Sequence, residues 1–250
     1  MFENFPRPII FAHRGDFAHA PENTLPAFEQ ALQKGADGVE LDAKLTSDGQ
    51  VIVIHDSAVD RTTNSKGRVA SLALEEIRKL DAGNWFNEKF AGTKVPLLEE
   101  IFEMVGKDKL INIELTNYST PRDGLAIKAC ELIKRHNNHK QIIFSSFFSS
   151  NLKIAAQALP EVPRGLLAMP GLVGLWARSF GFMFGDYQAL HPNIANTSKE
   201  QVQRAHRIKR RVYVWTVNTP AEVTRLKEWG VDGIFTDDPQ MAVHALGRGG

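Results

Sequence analysis

The sequence predicts an α/β protein of the (β/α)8 TIM-barrel class, with a small insertion after the second strand. Short apolar or β-branched runs alternate with longer amphipathic runs, and eight strand and helix pairs fit within 250 residues. The segments GADGVELD at 35–42 and GVDGIFTDD at 230–238 share a Gly-x-Asp-Gly entry into a strand, which indicates one type of helix-to-strand corner used twice. A doubly wound open sheet is the alternative, although no glycine-rich phosphate fingerprint follows a predicted strand.

The predicted elements follow in order along the chain. In the first helix Pro26 lies in the first turn, after Asn23 and Thr24, while Gly35 and Gly230 stand where two helices should end. Strands are predicted at 8–13, 37–43, 51–55, 110–115, 142–146, 164–168, 187–190, 212–217 and 232–236, with 51–55 as the extra strand. Helices are predicted at 24–34, 97–105, 122–136, 149–158, 172–181, 198–209, 219–228 and 238–247.

One domain is predicted over residues 1–250, with residues 57–94 as an insertion subdomain at the barrel mouth. This segment is long and irregular, holds a short helix near 72–80 and carries the aromatic cluster Trp85, Phe86 and Phe90. It would leave from the carboxyl end of the second strand, where barrels of this class keep their active sites. The apolar stretch 166–177 is too short to span a membrane and is expected to form a buried helix at the edge of the core.

The composition excludes several classes of partner. A hydrophobic content of 43%, a charged content of 24% and a formal net charge of +1 argue against a nucleic-acid-binding or membrane-inserted protein. Cys130 is the single cysteine, and the amino terminus lacks the basic and apolar regions of a signal peptide, so we expect a cytoplasmic protein. A homo-oligomer remains open.

Acidic residues inside two predicted strands point to a cation site. Glu40 and Asp42 lie two residues apart and therefore share one face of a strand, and Asn112 and Glu114 repeat the pattern on the adjacent barrel strand, predicted at 110–115. Strands of a parallel barrel are covered on both faces, so such carboxylates need a compensating charge. Glu40, Asp42 and Glu114 form an all-oxygen set suited to Mg²⁺ or Ca²⁺. The alternative is that these are surface positions of misassigned strands.

Two histidines close neighbouring strands beside these carboxylates. His13 and His55 stand at carboxyl ends, where they suit a general acid and base pair, although a lone histidine there is usually structural. Arg14 adds a forked cation for phosphate oxygens, and Gly15 permits a close approach of substrate to the backbone. The combination favours a phosphoester as the substrate.

The ordered motifs resemble those of the glycerophosphodiester phosphodiesterases over nearly the whole chain. They are HRG at 13–15, PENT at 21–24, ELD at 40–42, SDGQ at 47–50, HD at 55–56, RTT at 61–63, NIEL at 112–115 and WTVN at 215–218. The resemblance implies a barrel enzyme that hydrolyses glycerophosphodiesters to glycerol 3-phosphate and an alcohol. It implies that Glu40, Asp42 and Glu114 bind the metal, that His13 and His55 act as general acid and base, and that Arg14 holds the phosphate.

Several further residues are assigned less directly. The family usually has a lysine two residues after the third carboxylate, where this chain has Thr116, so Lys44 on the second strand is a hypothetical substitute. The alternative for Lys44 is a solvated strand end. By resemblance Trp215 lines the glycerol side of the pocket, against the alternative of a barrel packing residue, and His191 is a further pocket candidate.

Two other functions stay open, and one pair of acidic residues is set aside. Thr116 leaves open a phosphoester-binding protein that has lost efficient catalysis, although both histidines are retained. A relative that acts on lysophospholipids is also open, with Trp85, Phe86, Phe90 and the apolar stretch 166–184 contacting an acyl chain. Asp237 and Asp238 precede Pro239 and are predicted to cap a helix without a catalytic role.

Overall fold

The computed structural model describes residues 1–248, which contain nine strands and nine α-helices. The strands are β1 (Ile9–His13), β2 (Gly38–Leu45), β3 (Val51–Val53), β4 (Leu110–Leu115), β5 (Ile142–Ser146), β6 (Arg164–Ala168), β7 (Ala189–Pro192), β8 (Arg211–Val214) and β9 (Gly233–Thr236). The helices are α1 (Leu25–Gln33), α2 (Leu74–Ile77), α3 (Leu98–Val105), α4 (Leu125–His136), α5 (Ser149–Ala158), α6 (Phe182–Phe184), α7 (Lys199–Arg207), α8 (Pro220–Trp229) and α9 (Pro239–Ala245).

Eight parallel strands close into a barrel, and the predicted (β/α)8 class is confirmed. Strand β1 pairs with β9 on one side and with β2 on the other, where His13 lies opposite Glu40. Strand β3 runs antiparallel to β2 outside the barrel, so β2 pairs next with β4. The open-sheet alternative is wrong, because the β1–β2 pairing leaves neither of these strands at an edge of the barrel.

Apolar side chains fill the barrel on the side of the strands' amino ends. This inner cluster consists of Ile9, Phe11, Leu110, Ile143, Ala189, Tyr213 and Phe235. The outward-facing residues of the barrel strands, such as Val39 and Leu41 of β2, pack against the helices in a larger cluster. Because the interior below is filled, the polar inward-facing residues collect at the carboxyl end of the barrel.

The repeated Gly-x-Asp-Gly corner has a structural purpose. Asp37 accepts the backbone N–H of Ile10 at 2.8 Å, and Asp232 accepts that of Val212 at 2.9 Å, so each aspartate caps the start of a neighbouring strand. The last glycine of each corner leaves no room for a side chain. A Cβ on Gly233, for example, would lie 2.4 Å from the Tyr213 ring.

The segment between β3 and α3 has an apolar cluster of its own. Ile52 and Ile54 pack there with Val59, Val69 and Ile77, which shows how the predicted insertion 57–94 attaches to the barrel. Its short helix, α2, is half as long as the predicted 72–80.

The segment after β6 differs from its prediction. The helix predicted at 172–181 is present only as irregular 3₁₀ and π turns, with non-helical dihedrals at Ser179, and the expectation of a buried helix over 166–177 is wrong. Several of its large apolar side chains are exposed, namely Leu172, Val173, Leu175, Trp176, Phe180, Met183 and Phe184. Within residues 1–248, none of the helices has the length and apolar character needed to cross a bilayer.

We expect Asp232→Ala to lower the free energy of unfolding by about 3 kcal/mol, because it leaves several donors at the barrel base without their shared acceptor. The buried Asp232 carboxylate binds Arg7, Arg211 at 3.0 Å and His206 at 2.8 Å, besides capping β8. Urea unfolding measures the loss. Asp108→Ala, at an exposed aspartate, is the control. A loss no larger than that of the control would contradict the prediction.

Candidate active site

A cavity of about 220 Å³ opens at the carboxyl end of the barrel. It is lined by His13, Arg14, Glu40, His55, Asn112, Glu114, Ser145, Phe147, Leu167, Met169, His191, Trp215 and Phe235. Polar residues from β1, β2 and β4 form one side, and aromatic and apolar residues from β5 to β9 form much of the other. A polar substrate with a small carbon skeleton fits such a lining.

The three carboxylates predicted to bind a cation are brought together. One oxygen from each of Glu40, Asp42 and Glu114 lies within 4.8 Å of the others. Glu40 and Asp42 are buried, whereas Glu114 is partly exposed to the cavity and accepts the Tyr118 hydroxyl at 2.7 Å. A cluster of carboxylate oxygens without sulfur ligands fits a hard divalent cation.

The shifted pKa values of these carboxylates show that placing them together in a buried site has an energetic cost. Burial and the Asp42 charge raise the pKa of Glu114 to about 8, and burial with the same neighbour raises the pKa of Glu40 well above its usual value. Burial also acts to raise the pKa of Asp42, but Arg14 leads the groups that outweigh it, so this pKa is lowered. Without a cation, the cluster therefore retains protons near neutral pH.

A tight turn after β1 delivers Arg14 to the carboxylates. Arg14 has φ of +56° and Gly15 has φ of +90°, and a Cβ on Gly15 would lie 2.7 Å from the backbone of Ala27. The Arg14 guanidinium lies 3.1 Å from Glu22 and 3.2 Å from Asp42. The HRG sequence thus places one cation beside the acidic cluster and holds it there.

Each of the two predicted catalytic histidines is bound to an aspartate. Nδ1 of His13 lies 2.7 Å from Oδ1 of Asp237, and Nδ1 of His55 lies 2.6 Å from Oδ1 of Asp56. A carboxylate only accepts, so Nδ1 carries the proton in both rings and Nε2 is left for the cavity. Asn218 in turn donates to Asp237 at 2.6 Å.

Asp237 therefore has a contact that the sequence reasoning did not assign. Asp238 caps α9 as predicted, by accepting the N–H of Met241 at 2.9 Å, but Asp237 turns back to His13. The signal was available: Asp237 directly follows the last barrel strand, and closure of a barrel places that strand beside β1.

Arg61 in the insertion connects both sides of the site. It binds Glu22 at 2.7 and 2.8 Å, and Glu22 in turn holds Arg14. The same guanidinium binds Asp56 at 2.7 Å, and Asp56 orients His55. Glu22 and Arg61 belong to the PENT and RTT motifs, whose individual contacts the sequence did not reveal.

The two remaining predicted substrate residues are placed differently. Trp215 lines the cavity, and its indole N–H donates to the carbonyl of His191 at 2.7 Å. Lys44 does not line it: its ammonium donates to the carbonyl and the hydroxyl of Thr116, beside a separate cavity under the insertion. The geometry thus supports Trp215 as a pocket residue and gives no contact between Lys44 and the pocket.

Three clustered carboxylates that could hold a cation lie beside an arginine and two aspartate-bound histidines at the carboxyl end of a barrel, an arrangement typical of enzymes that cleave phosphoesters. The sequence model of the glycerophosphoryl diester phosphodiesterase family matches residues 13–241. The chain belongs to this family and is by that membership a phosphodiesterase. The resemblance inferred from the motifs is confirmed.

Relatives match over nearly their whole length. A glycerophosphodiester phosphodiesterase of Caldanaerobacter subterraneus subsp. tengcongensis is 41% identical, with 98% of this chain and all of the relative covered. A phosphodiesterase of Oleispira antarctica, solved with the product sn-glycerol-3-phosphate, is 29% identical, has a TM-score of 0.86 and covers 96% of this chain and 97% of its own. The glycerophosphodiester phosphodiesterase of Agrobacterium tumefaciens is 28% identical, with a TM-score of 0.80 and coverage of 94% and 98%.

We expect a divalent cation to stabilise the protein more as pH rises. Carboxyls whose pKa is raised on folding contribute stability below their unfolded pKa and lose it as pH rises through the folded value, which is about 8 for Glu114. With chelator, the melting temperature should therefore fall between about pH 5 and about pH 9, and Mg²⁺ or Ca²⁺ should restore it.

Thermal melts with each cation and with chelator measure this, and Glu114→Gln should lose most of the cation-dependent gain. Equal melting temperatures with and without cation at alkaline pH would contradict the cation site.

We expect Arg61→Ala to lower kcat about ten- to a hundredfold with little change in melting temperature, because it frees Asp56 and Glu22 and loosens His55 and Arg14. Steady-state kinetics with a glycerophosphodiester measure the loss. Arg68→Ala is the matched control, since Arg68 is an exposed arginine of the same insertion. Equal activity of the two variants would show that the Arg61 network does not position the site.

Proposed function

We propose that the protein hydrolyses glycerophosphodiesters, such as glycerophosphocholine or glycerophosphoethanolamine, to glycerol 3-phosphate and an alcohol with Mg²⁺ or Ca²⁺ as cofactor. The observation that carries the proposal is a cluster of three carboxylates at a cavity that Arg14 and two aspartate-bound histidines also line. The cytoplasmic location expected from the sequence is part of the same proposal.

The acidic and basic groups would have different roles in binding the phosphodiester. Glu40, Asp42 and Glu114 would hold the cation, which would polarise the phosphoryl oxygens and the glycerol 2-hydroxyl. Arg14 offers guanidinium protons to a non-bridging phosphate oxygen from its place beside Asp42. Trp215, with Phe147 edge-on at a ring distance of 5.8 Å, forms an apolar wall for the carbon atoms of glycerol.

The two histidines would move the protons. The 2-hydroxyl attacks phosphorus in line, one histidine takes the hydroxyl proton on Nε2, and the other gives a proton to the departing alcohol oxygen. The bond between the glycerol 2-oxygen and phosphorus forms and closes a cyclic phosphate, while the P–O bond to the alcohol breaks. Water then opens the cyclic phosphate, and the two histidines exchange roles to give glycerol 3-phosphate.

The relatives support this substrate class. The Oleispira antarctica phosphodiesterase was solved with sn-glycerol-3-phosphate, which is the product expected here.

A lysophospholipid substrate is a second candidate, and one observation favours it. Met169 lines the cavity, and the exposed apolar segment 172–184 follows directly in the chain, so an acyl chain leaving the cavity there would meet apolar surface. In the insertion, the Phe86 ring packs edge to face with the rings of Trp85 and Phe90, and none of the three residues lines the cavity.

The possibility of a binding protein without catalysis rested on Thr116. The aspartate partners of both His13 and His55 count against it, because they fix the tautomer that proton transfer requires. No such arrangement is needed for binding alone.

The deciding measurement is release of glycerol 3-phosphate from glycerophosphocholine and glycerophosphoethanolamine, in a coupled assay with Mg²⁺, Ca²⁺ or chelator. We expect release that chelator abolishes. Cleavage of lysophosphatidylcholine alone would favour the second candidate. Absence of turnover from folded protein with either cation would leave only the binding protein.

We expect His13→Ala and His55→Ala each to lower kcat about 10²- to 10⁴-fold, because each removes a proton-transfer group. A nitrophenyl ester of glycerol 3-phosphate separates their roles, since its leaving group departs without a proton. The variant that lacks the general acid should recover much of its activity on this ester, while the other should not. Equal losses of both variants on both substrates would contradict a division into acid and base.

A further inference from the structure

The inner wall of the active-site cavity contains two buried polar side chains with free hydrogen-bonding atoms. Oδ1 of Asn112 and both ring nitrogens of His191 find no hydrogen-bond partner within residues 1–248. His191 is 0% exposed and Asn112 is 1% exposed, and both line the cavity. Because buried polar groups in native proteins nearly always have partners, these atoms indicate a ligand group that completes the wall.

The two side chains belong to one continuous stretch of the barrel wall. Nδ2 of Asn112 donates to the Ser145 hydroxyl at 2.8 Å, which turns Oδ1 of the amide away from Ser145. Ser145 pairs with Gly165 on the next strand, and a Cβ on Gly165 would lie 2.1 Å from Nε2 of His191. The His191 imidazole thus occupies the space that a side chain at position 165 would fill. We call Asn112, Ser145, Gly165 and His191 the polar wall.

The polar wall has the chemistry to bind a hydroxyl group. Burial lowers the pKa of His191 to about 3, so the ring is neutral near neutral pH and offers one donor and one acceptor. Oδ1 of Asn112 offers a second acceptor. A hydroxyl both accepts and donates one hydrogen bond, whereas a phosphate or carboxylate oxygen would face the Asn112 acceptor without a proton to give.

We propose that Asn112 and His191 form the subsite for the terminal hydroxyl of the glycerol group, an inference that rests on the proposed function. Asn112 precedes Glu114 by two residues on β4 and therefore lies one step deeper on the same face. With the phosphate at Arg14 and the 2-hydroxyl near the carboxylates, the terminal hydroxyl is the polar group left to reach this depth.

The subsite has a consequence for specificity. A lysophospholipid carries an acyl ester on that oxygen, so it has no proton to donate and would leave the polar wall unpaired. Sites built to hydrogen-bond a hydroxyl discriminate strongly against substrates that lack it. The polar wall therefore selects free glycerol groups over acylated ones.

The test compares kcat/KM for glycerophosphocholine with that for 2-hydroxypropyl phosphocholine, which keeps the secondary hydroxyl but has hydrogen in place of the terminal one. The protein should prefer glycerophosphocholine at least about a hundredfold. His191→Phe should reduce this preference to less than about tenfold, by losing activity on glycerophosphocholine and retaining it on the analogue. Gly165→Ala should act in the same direction, because it displaces the ring.

Tyr213→Phe is the matched control. The Tyr213 ring packs edge-on against His191 at 5.4 Å without lining the cavity, so this variant should keep the full preference. Thermal melts show that each variant is folded. Equal kcat/KM of the unmodified protein on both substrates would overturn the subsite and leave the proposed function intact. A full preference retained by both His191→Phe and Gly165→Ala would also overturn it, and turnover of neither substrate would overturn the proposed function together with the subsite.

Discussion

The open end of the barrel depends on keeping three carboxylates together in a largely buried place. Strand parity turns Glu40, Asp42 and Glu114 inward, and barrel closure removes the surface on which they would otherwise be solvated. Arg14 and the Asn23 amide, which donates to Asp42 at 2.9 Å, offset part of the cost. The raised pKa values of Glu40 and Glu114 show that the rest is not offset by protein groups. In the proposed function, a divalent cation at this position would remove the residual cost and would also supply the charge that the chemistry needs.

The two histidines are bound by aspartates that do not belong to the cluster of three carboxylates. His13 and His55 are bound by Asp237 and Asp56, on the far side of each ring from the cavity. Hydrogen bonds of this kind fix the tautomer and orient each ring. Asp237 follows the last strand of the barrel, while Asp56 is fixed by Arg61 from the insertion. The insertion thus contributes to positioning His55 even though its aromatic residues Trp85 and Phe90 do not line the cavity.

The parts of the fold and site that the sequence predicted follow from local periodicity. Alternation within β2 and β4 predicts which carboxylates share a face, and the repeated Gly-x-Asp-Gly corner predicts two similar turns. Contacts between distant segments leave no such pattern, and the bonds of Asp237 to His13 and of Arg61 to Glu22 are of this kind. The burial expected for the segment after β6 was wrong for a related reason. Periodicity shows where apolar residues lie, but it does not show whether the fold supplies another element to cover them.

Thr116 stands where the family resemblance leads one to expect a lysine, and the Lys44 side chain contacts it. In the chain's own site, three carboxylates face Arg14, the one permanently charged cation among the cavity-lining residues within 1–248. A divalent cation would bring this set to neutrality, and an approaching phosphodiester would add a negative charge. Lys44 reaches Thr116 from β2; burial lowers the pKa of its ammonium group, and the charges of Asp42 and Glu114 oppose part of that effect. Lys44 does not line the cavity, so it could act on a bound phosphate only through long-range electrostatics. In the proposed mechanism, Arg14 contacts the phosphate directly. In the proposed mechanism, the transferred phosphoryl group would therefore have Arg14 and the divalent cation as its principal positive charges.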